Sequence, residues 1–84
     1  MKVTFDPAGW EDYLYWQAPD KAQLKRINAL IKDICRHPFE GIGLPEPLKH
    51  EWSGYWSRRI DQEHRLVYRP IDDAVLIAQC RFHY

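Results

Sequence analysis

Residues 38–47 hold Pro38, Gly41, Gly43, Pro45 and Pro47, a run that neither a helix nor a central strand tolerates. Any fold of this chain must therefore be built from two parts joined by one irregular segment. In front of that segment apolar residues recur at helical spacing; behind it they alternate.

The front part opens with a short strand over Lys2–Phe5. Asp6-Pro7 then supplies an N-cap side chain and a proline at the first helical position, where its missing N–H costs nothing. Trp10, Tyr13, Leu14 and Gln17 lie at helical spacing. Ala18-Pro19-Asp20 interrupts the pattern and recaps a second helix, with Gln23 placed three residues beyond Asp20 as in a capping box. Leu24, Ile27, Leu30, Ile31 and Ile34 form its apolar stripe, and Pro38 ends it near Arg36 or His37. Behind the loop, residues 55–60, 64–69 and 75–82 read as strands. Asp61-Gln62-Glu63 and Pro70-Ile71-Asp72-Asp73 separate them as two hairpin turns, and Pro70 is expected to end its strand.

The order strand, helix, helix, three strands predicts an α+β fold, with two N-terminal helices on one face of a small, mostly antiparallel sheet. A chain of 84 residues, 45% hydrophobic, supports one domain over residues 1–84. Period-two alternation directs Leu76, Ala78, Cys80 and Phe82 toward the helices and Ile77, Gln79, Arg81 and His83 away from them. It likewise separates Leu66 and Tyr68 from Arg65, Val67 and Arg69, and Ile60 from Arg59. The sheet should thus have one helix-covered face and one bearing Arg and His.

Twelve Lys and Arg balance twelve Asp and Glu, so the sum does not mark a nucleic-acid binder. The distribution is uneven, however. Lys49, Arg58, Arg59, Arg65, Arg69 and Arg81 collect in the sheet half, which keeps a polyanionic partner open. No apolar run approaches the roughly 20 residues that span a bilayer, so a membrane role is not expected. Cys35 and Cys80 sit on or beside apolar faces and read as buried small hydrophobes in a reducing cytoplasm. His37, His50, His64 and His83 show no paired ligand spacing, and no metal or cofactor is expected.

A face with Arg59, Arg65 and His83 suits phosphodiester chemistry, since guanidinium forks hold phosphate and histidine passes protons near neutral pH. RNA cleavage without metal needs a base for the 2′-OH, an acid for the leaving 5′ oxygen and fixed positive charge. Glu46, His83 and Arg65 are candidates for those roles, with Lys49 as a second cation and Tyr84 as a stacking ring. Each also has an ordinary reading. Glu46 sits in a loop as a solvated carboxylate, Arg59 and Arg65 pair with Asp61 and Glu63 across a hairpin, and His83-Tyr84 is a frayed end.

Glu46-Pro47-Leu48-Lys49-His50, Ser53-Gly54-Tyr55-Trp56-Ser57-Arg58-Arg59-Ile60, Glu63-His64-Arg65-Leu66-Val67-Tyr68 and Cys80-Arg81-Phe82-His83-Tyr84 stand in an order that resembles the YoeB family of the RelE/ParE toxin superfamily. The similarity extends back through Trp10-Glu11-Asp12-Tyr13-Leu14-Tyr15-Trp16 and Pro38-Phe39-Glu40-Gly41, and so covers essentially the whole chain. The resemblance implies a RelE/ParE-like microbial ribonuclease fold and the toxin of a type II toxin–antitoxin pair. Such a toxin enters the ribosomal A site and cuts mRNA there without metal or cofactor, inhibiting translation. It implies Glu46 as general base, His83 as general acid, Arg65 as transition-state clamp and Tyr84 as the residue orienting a base. Lys49 and Arg59 would hold phosphate, with His50 beside them as an RNA-binding residue. It implies as partners a YefM/Phd-like antitoxin that masks the site, the ribosome with its mRNA, and, with the aromatic first helix, a second copy in a homodimer. The competing reading is a non-enzymatic, ParE-like toxin that binds a protein such as DNA gyrase, for which the Glu46 and His83-Tyr84 combination would not be needed.

Overall fold

The computed structural model describes residues 1–18 and 20–83. The elements are β1 (Lys2–Phe5), α1 (Pro7–Tyr15), α2 (Lys21–Arg36), β2 (Glu46–Pro47), β3 (Trp56–Arg59), β4 (Arg65–Ile71) and β5 (Ala74–Gln79). The strands form one sheet in the order β1-β5-β4-β3-β2. β1 lies parallel to β5, and the remaining pairs are antiparallel. Both helices cover one face, as the alternation of helical and strand patterns requires.

Local chemistry sets the helix ends. Asp20 accepts the Gln23 amide at 3.0 Å, while the Gln23 side chain crosses to Asp61 rather than back to Asp20, so the capping box is half closed. Asp6 occupies the N-cap of α1 but makes no side-chain cap. Its amide donates to the Ile77 carbonyl at 3.0 Å instead, fastening the strand-to-helix junction to β5. α2 buries Ile27, Leu30 and Ile34, each contributing about 1.5–3 kcal/mol of apolar burial. They meet Leu66, Tyr68, Val75 and Ile77 of the sheet.

Three expectations need correction. Glu46 and Pro47 are not loop: they form an edge strand that pairs with Ser57 and Trp56, where a proline's missing donor is tolerated. Pro70 does not end β4. The strand runs to Ile71 because β3 pairs only with residues 65–68, so at Pro70 the strand has a partner on one side alone. The turn shrinks to Asp72-Asp73, with Asp72 left-handed at φ 54°. The third concerns β5. A register shift pairs Val67 with Gln79 but Tyr68 with Ile77, leaving Ala78 as an extra residue. This bulge makes Val75, Ile77 and Cys80 the helix-facing set, while Leu76, opposite Arg69, and Ala78, packed with Leu48 and Val67, lie on the other face.

Two close approaches fix the layers. Gly9 lies where a Cβ would fall 2.3 Å from the Ile77 carbonyl oxygen, so α1 rests on β5 backbone to backbone. Arg58, counted among the basic residues of the sheet, points inward and is fully buried. Its guanidinium donates to Asp33, to the Tyr68 hydroxyl at 3.2 Å, and to the carbonyls of Ile42 at 3.1 Å, Glu40 at 2.8 Å and His37. All five N–H donors are thereby used, and the loop leaving α2 is stapled to β3. Arg58 holds the Asp33 carboxyl below the ordinary carboxylate range, helped by the Ile42 amide.

Candidate active site

Strand register decides which side chains share the face opposite the helices. Ser57 stands opposite both Glu46 and Val67, and Val67 opposite Gln79, so these four make one row across the sheet. Arg59 opposite Arg65 makes the next row. From strand spacing and rise, the Glu46 backbone lies about 10 Å across and about 7 Å along the sheet from that of Arg65.

The segment after β2 is held over this face by its own small core. Leu48 packs on Val67 and Ala78, with Trp52 and Tyr55 against them. Glu46, Lys49 and His50 consequently line one shallow depression together with Leu48 and Trp52. His50 opens a 3₁₀ turn (His50–Trp52) with φ 58°, a left-handed conformation uncommon for a non-glycine residue. Glu46 is exposed there, on a strand rather than on a free loop.

Arg59 and Arg65 lie beyond that depression. Arg65 does not turn to the Asp61 or Glu63 carboxylates. Its Nη1 donates to the main-chain carbonyls of Asp61 (2.8 Å), His64 (3.2 Å) and Gln62 (3.3 Å), which anchors the guanidinium at the hairpin corner. The Asp61 carboxylate builds that corner, accepting the amides of His64 at 2.7 Å and Glu63 at 2.8 Å as well as the Gln23 side chain. Burial pushes the Asp61 carboxyl up, but these hydrogen bonds outweigh it and leave it below the ordinary value. Arg59 is exposed, with its amide bonded to the Gly43 carbonyl at 2.7 Å.

The end of the chain is not the last piece of a strand: β5 stops at Gln79. The Cys80 amide donates to Asp12 at 3.1 Å, and the Cys80 carbonyl accepts Trp16 Nε1 at 2.9 Å. The Phe82 amide donates to His64 Nδ1 at 2.7 Å, and the Phe82 carbonyl accepts the Arg65 amide at 2.9 Å. His83 follows directly and is exposed, one residue beyond the bond that ties the Phe82 carbonyl to the Arg65 amide. Arg81 leaves that face: its guanidinium lies 3.5 Å over the Tyr15 ring and 4.4 Å from Phe82. Tyr84 lies outside the described residues.

Of the seven sequence candidates, then, Glu46, Lys49 and His50 gather at one depression, Arg59 and Arg65 stand opposite each other in the adjoining row, His83 follows the Phe82–Arg65 bond by one residue, and Tyr84 is not described. Sequence reasoning passed over Asp12, Trp16 and His64, the side chains that grip the terminal segment. The i, i+4 spacing of Asp12 and Trp16 was a usable signal, since it puts a carboxylate and an indole on one helix stripe. Cys80 is buried against α1, and burial, with Asp12 nearby, pushes its thiol up to about 12, which suits packing rather than nucleophilic work. Among the described residues, no group of three His, Cys, Asp or Glu side chains converges as metal ligands would.

Residues 5–84 match the family described as YoeB-like toxin of bacterial type II toxin-antitoxin system. Toxin YoeB of Escherichia coli K12 is 62% identical over 84 residues, covering the whole of both chains. The YoeB/ParE toxin structure from Agrobacterium tumefaciens superposes with a TM-score of 0.97 at 48% identity, again over the full length of both. From Staphylococcus aureus, the heterotetrameric YoeB–YefM toxin–antitoxin complex and a YoeB dimer each give 0.92 at 50% identity, over all of this chain and 98% of theirs. The fold and the full-length identity agree with the ordered motifs, and the chain belongs to the YoeB-like toxins of bacterial type II toxin–antitoxin systems.

Proposed function

We propose that this toxin is a ribosome-dependent endoribonuclease that cuts mRNA in the A site by metal-independent acid–base chemistry. Two observations support the reading: the shared face, with Glu46 in one row and Arg59 and Arg65 in the next, and the bond from the Arg65 amide to the Phe82 carbonyl, one residue before His83. In this reading Glu46 takes the proton of the 2′-OH, whose oxygen attacks the adjacent phosphorus. Arg65, with Arg59 and Lys49, holds the charge that builds on the phosphoryl oxygens. His83 gives a proton to the departing 5′ oxygen, leaving a 2′,3′-cyclic phosphate and a 5′-OH end. His50 contacts the RNA beside Lys49, and Tyr84 orients a base. No resident metal or cofactor is part of the scheme.

The balanced charge of the chain fits a ribosomal setting, because a ribosome that positions the message supplies several kcal/mol of the barrier through orientation and does not require tight binding of free RNA. The site of action is then the cytoplasm. A YefM-like antitoxin covers the Arg-bearing face, and a second copy of the chain pairs through α1, whose Trp10, Leu14 and Tyr15 are exposed. The S. aureus complex and dimer, at 50% identity, support both partners.

Primer extension on translated messages after induction should show new 5′ ends within codons. Glu46→Ala and His83→Ala should each lower cleavage by about 10²–10⁴-fold, the usual weight of a general base or acid, with unchanged circular dichroism. Intact messages under the wild-type toxin, or growth arrest by both variants, would overturn the assignment.

A further inference from the structure

We infer that His64 is a positioning residue: its neutral imidazole, accepting the Phe82 amide at Nδ1, sets the direction in which the chain presents His83 to the Arg59–Arg65 row. The inference rests on the reading of His83 as the acid.

Three observations converge on it. Phe82 has φ 64°, and a bulky residue stays in the left-handed region only where its surroundings fix both of its peptide groups. Here the N–H is fixed by His64 Nδ1 at 2.7 Å and the C=O by the Arg65 amide at 2.9 Å. The second peptide is the one that carries His83, so the imidazole and the Arg65 backbone together aim it. Secondly, a main-chain N–H can only donate, which makes Nδ1 an acceptor and puts the ring proton on Nε2. That nitrogen lies 3.5 Å from the exposed Glu63 carboxylate, without a hydrogen bond to it. Thirdly, the ring cannot drift. It is buried, stands edge-to-face on Trp16 at 5.0 Å between centroids, and its own amide is bonded to Asp61.

The corner thus joins three elements. The C-cap of α1 supplies Trp16, the β3–β4 turn supplies Asp61 and Glu63, and β4 supplies the Arg65 amide. A side chain that merely filled space would need no acceptor at Nδ1. One that aims the terminus does.

The test separates these cases in the free protein before any cleavage is measured. Nitrogen-15 spectra of the full chain should show His64 as the Nε2–H tautomer at neutral pH, with a coupling through the hydrogen bond between the Phe82 amide and Nδ1. An Nδ1–H tautomer or an imidazolium at neutral pH would overturn the proposal. His64→Asn keeps an oxygen acceptor near the Nδ1 position, whereas His64→Leu keeps bulk alone. The Phe82 amide should exchange at least tenfold faster in the leucine variant than in wild type, and near wild-type rate in the asparagine variant, while the Leu66 amide is unchanged in both.

On translated message, His64→Leu should lower kcat at least tenfold with KM within about twofold, and His64→Asn should recover most of it. Equal loss in both variants with Phe82 still protected in His64→Asn would overturn the positioning role. If the leucine variant does not fold, the wild-type spectra and the asparagine variant still decide. Protection that follows the expected pattern in a protein that cuts no message would sink the nuclease reading and its claim on His83, while leaving the grip on Phe82 standing.

Discussion

Arg58 and Arg59 are consecutive residues of one strand with opposite fates. Arg58 is fully buried beneath the helices, with every N–H donor committed to Asp33, Tyr68 and three carbonyls of the loop after α2. Arg59 is exposed on the other face, directly across from Arg65. A pleated strand turns neighbouring side chains to opposite faces, so the same chemical group serves as a bracket on one side and as available charge on the other. Counting cations along a sequence therefore overstates a binding face, and the alternation of their neighbours corrects it.

The contrast breaks most easily at the buried member. Arg58→Leu strips partners from Asp33, the Tyr68 hydroxyl and the carbonyls of His37, Glu40 and Ile42, and should destabilise the fold by about 3–5 kcal/mol. Urea or thermal midpoints measure it, and a loss under about 1 kcal/mol would show that the loop does not need its staple. Arg59→Ala should do the reverse. Stability stays within about 0.5 kcal/mol, as for surface changes, while cleavage falls about 100-fold, near the weight of one lost charge-stabilising donor. A variant that unfolds without losing rate when folded would erase the distinction.

The smallest effect is a slope. Because Arg58 depresses the Asp33 carboxyl in the folded state, the pair contributes stability above the ordinary carboxylate value of 3.8 and loses it as pH falls through the lower folded value. Asp33→Asn should remove that component, so its stability should decline less steeply than wild type below about pH 4, as read from denaturation midpoints at stepped pH. Identical slopes would mean that the loop carbonyls, not the carboxylate, hold Arg58.

Much of this was legible beforehand. The stripe Leu24, Ile27, Leu30, Ile31 and Ile34 gave α2, and Pro38 gave its end. Tyr68 and Leu66 separated from Arg65 and Val67 as period two requires. Failures came where one residue altered the count. The extra Ala78 in β5 reversed the facing of Leu76 and Ile77, and a bulge leaves no mark in a run of apolar side chains. Glu46 looked like loop because prolines flank it, yet an edge strand of two residues asks for little backbone pairing. His64 was invisible as a functional residue for another reason: its partner is a main-chain amide, and backbone groups carry no signature in sequence.

Contacts to main-chain atoms also hold α1 in place. Gly9 lies against the Ile77 carbonyl and accepts the Cys80 thiol, Asp12 takes the Cys80 amide, and Trp16 takes the Cys80 carbonyl. The helix grips the end of β5 chiefly through atoms that every amino acid possesses. Exposed or half-buried positions of the gripped stretch, such as Gln79 and Arg81, are consequently free to change in kind without changing place, whereas Gly9, Asp12 and Trp16 are not. A library of substitutions scored for retained fold should be permissive at Gln79 and Arg81 and intolerant at three positions some seventy residues earlier in the chain, about two helical turns apart from first to last.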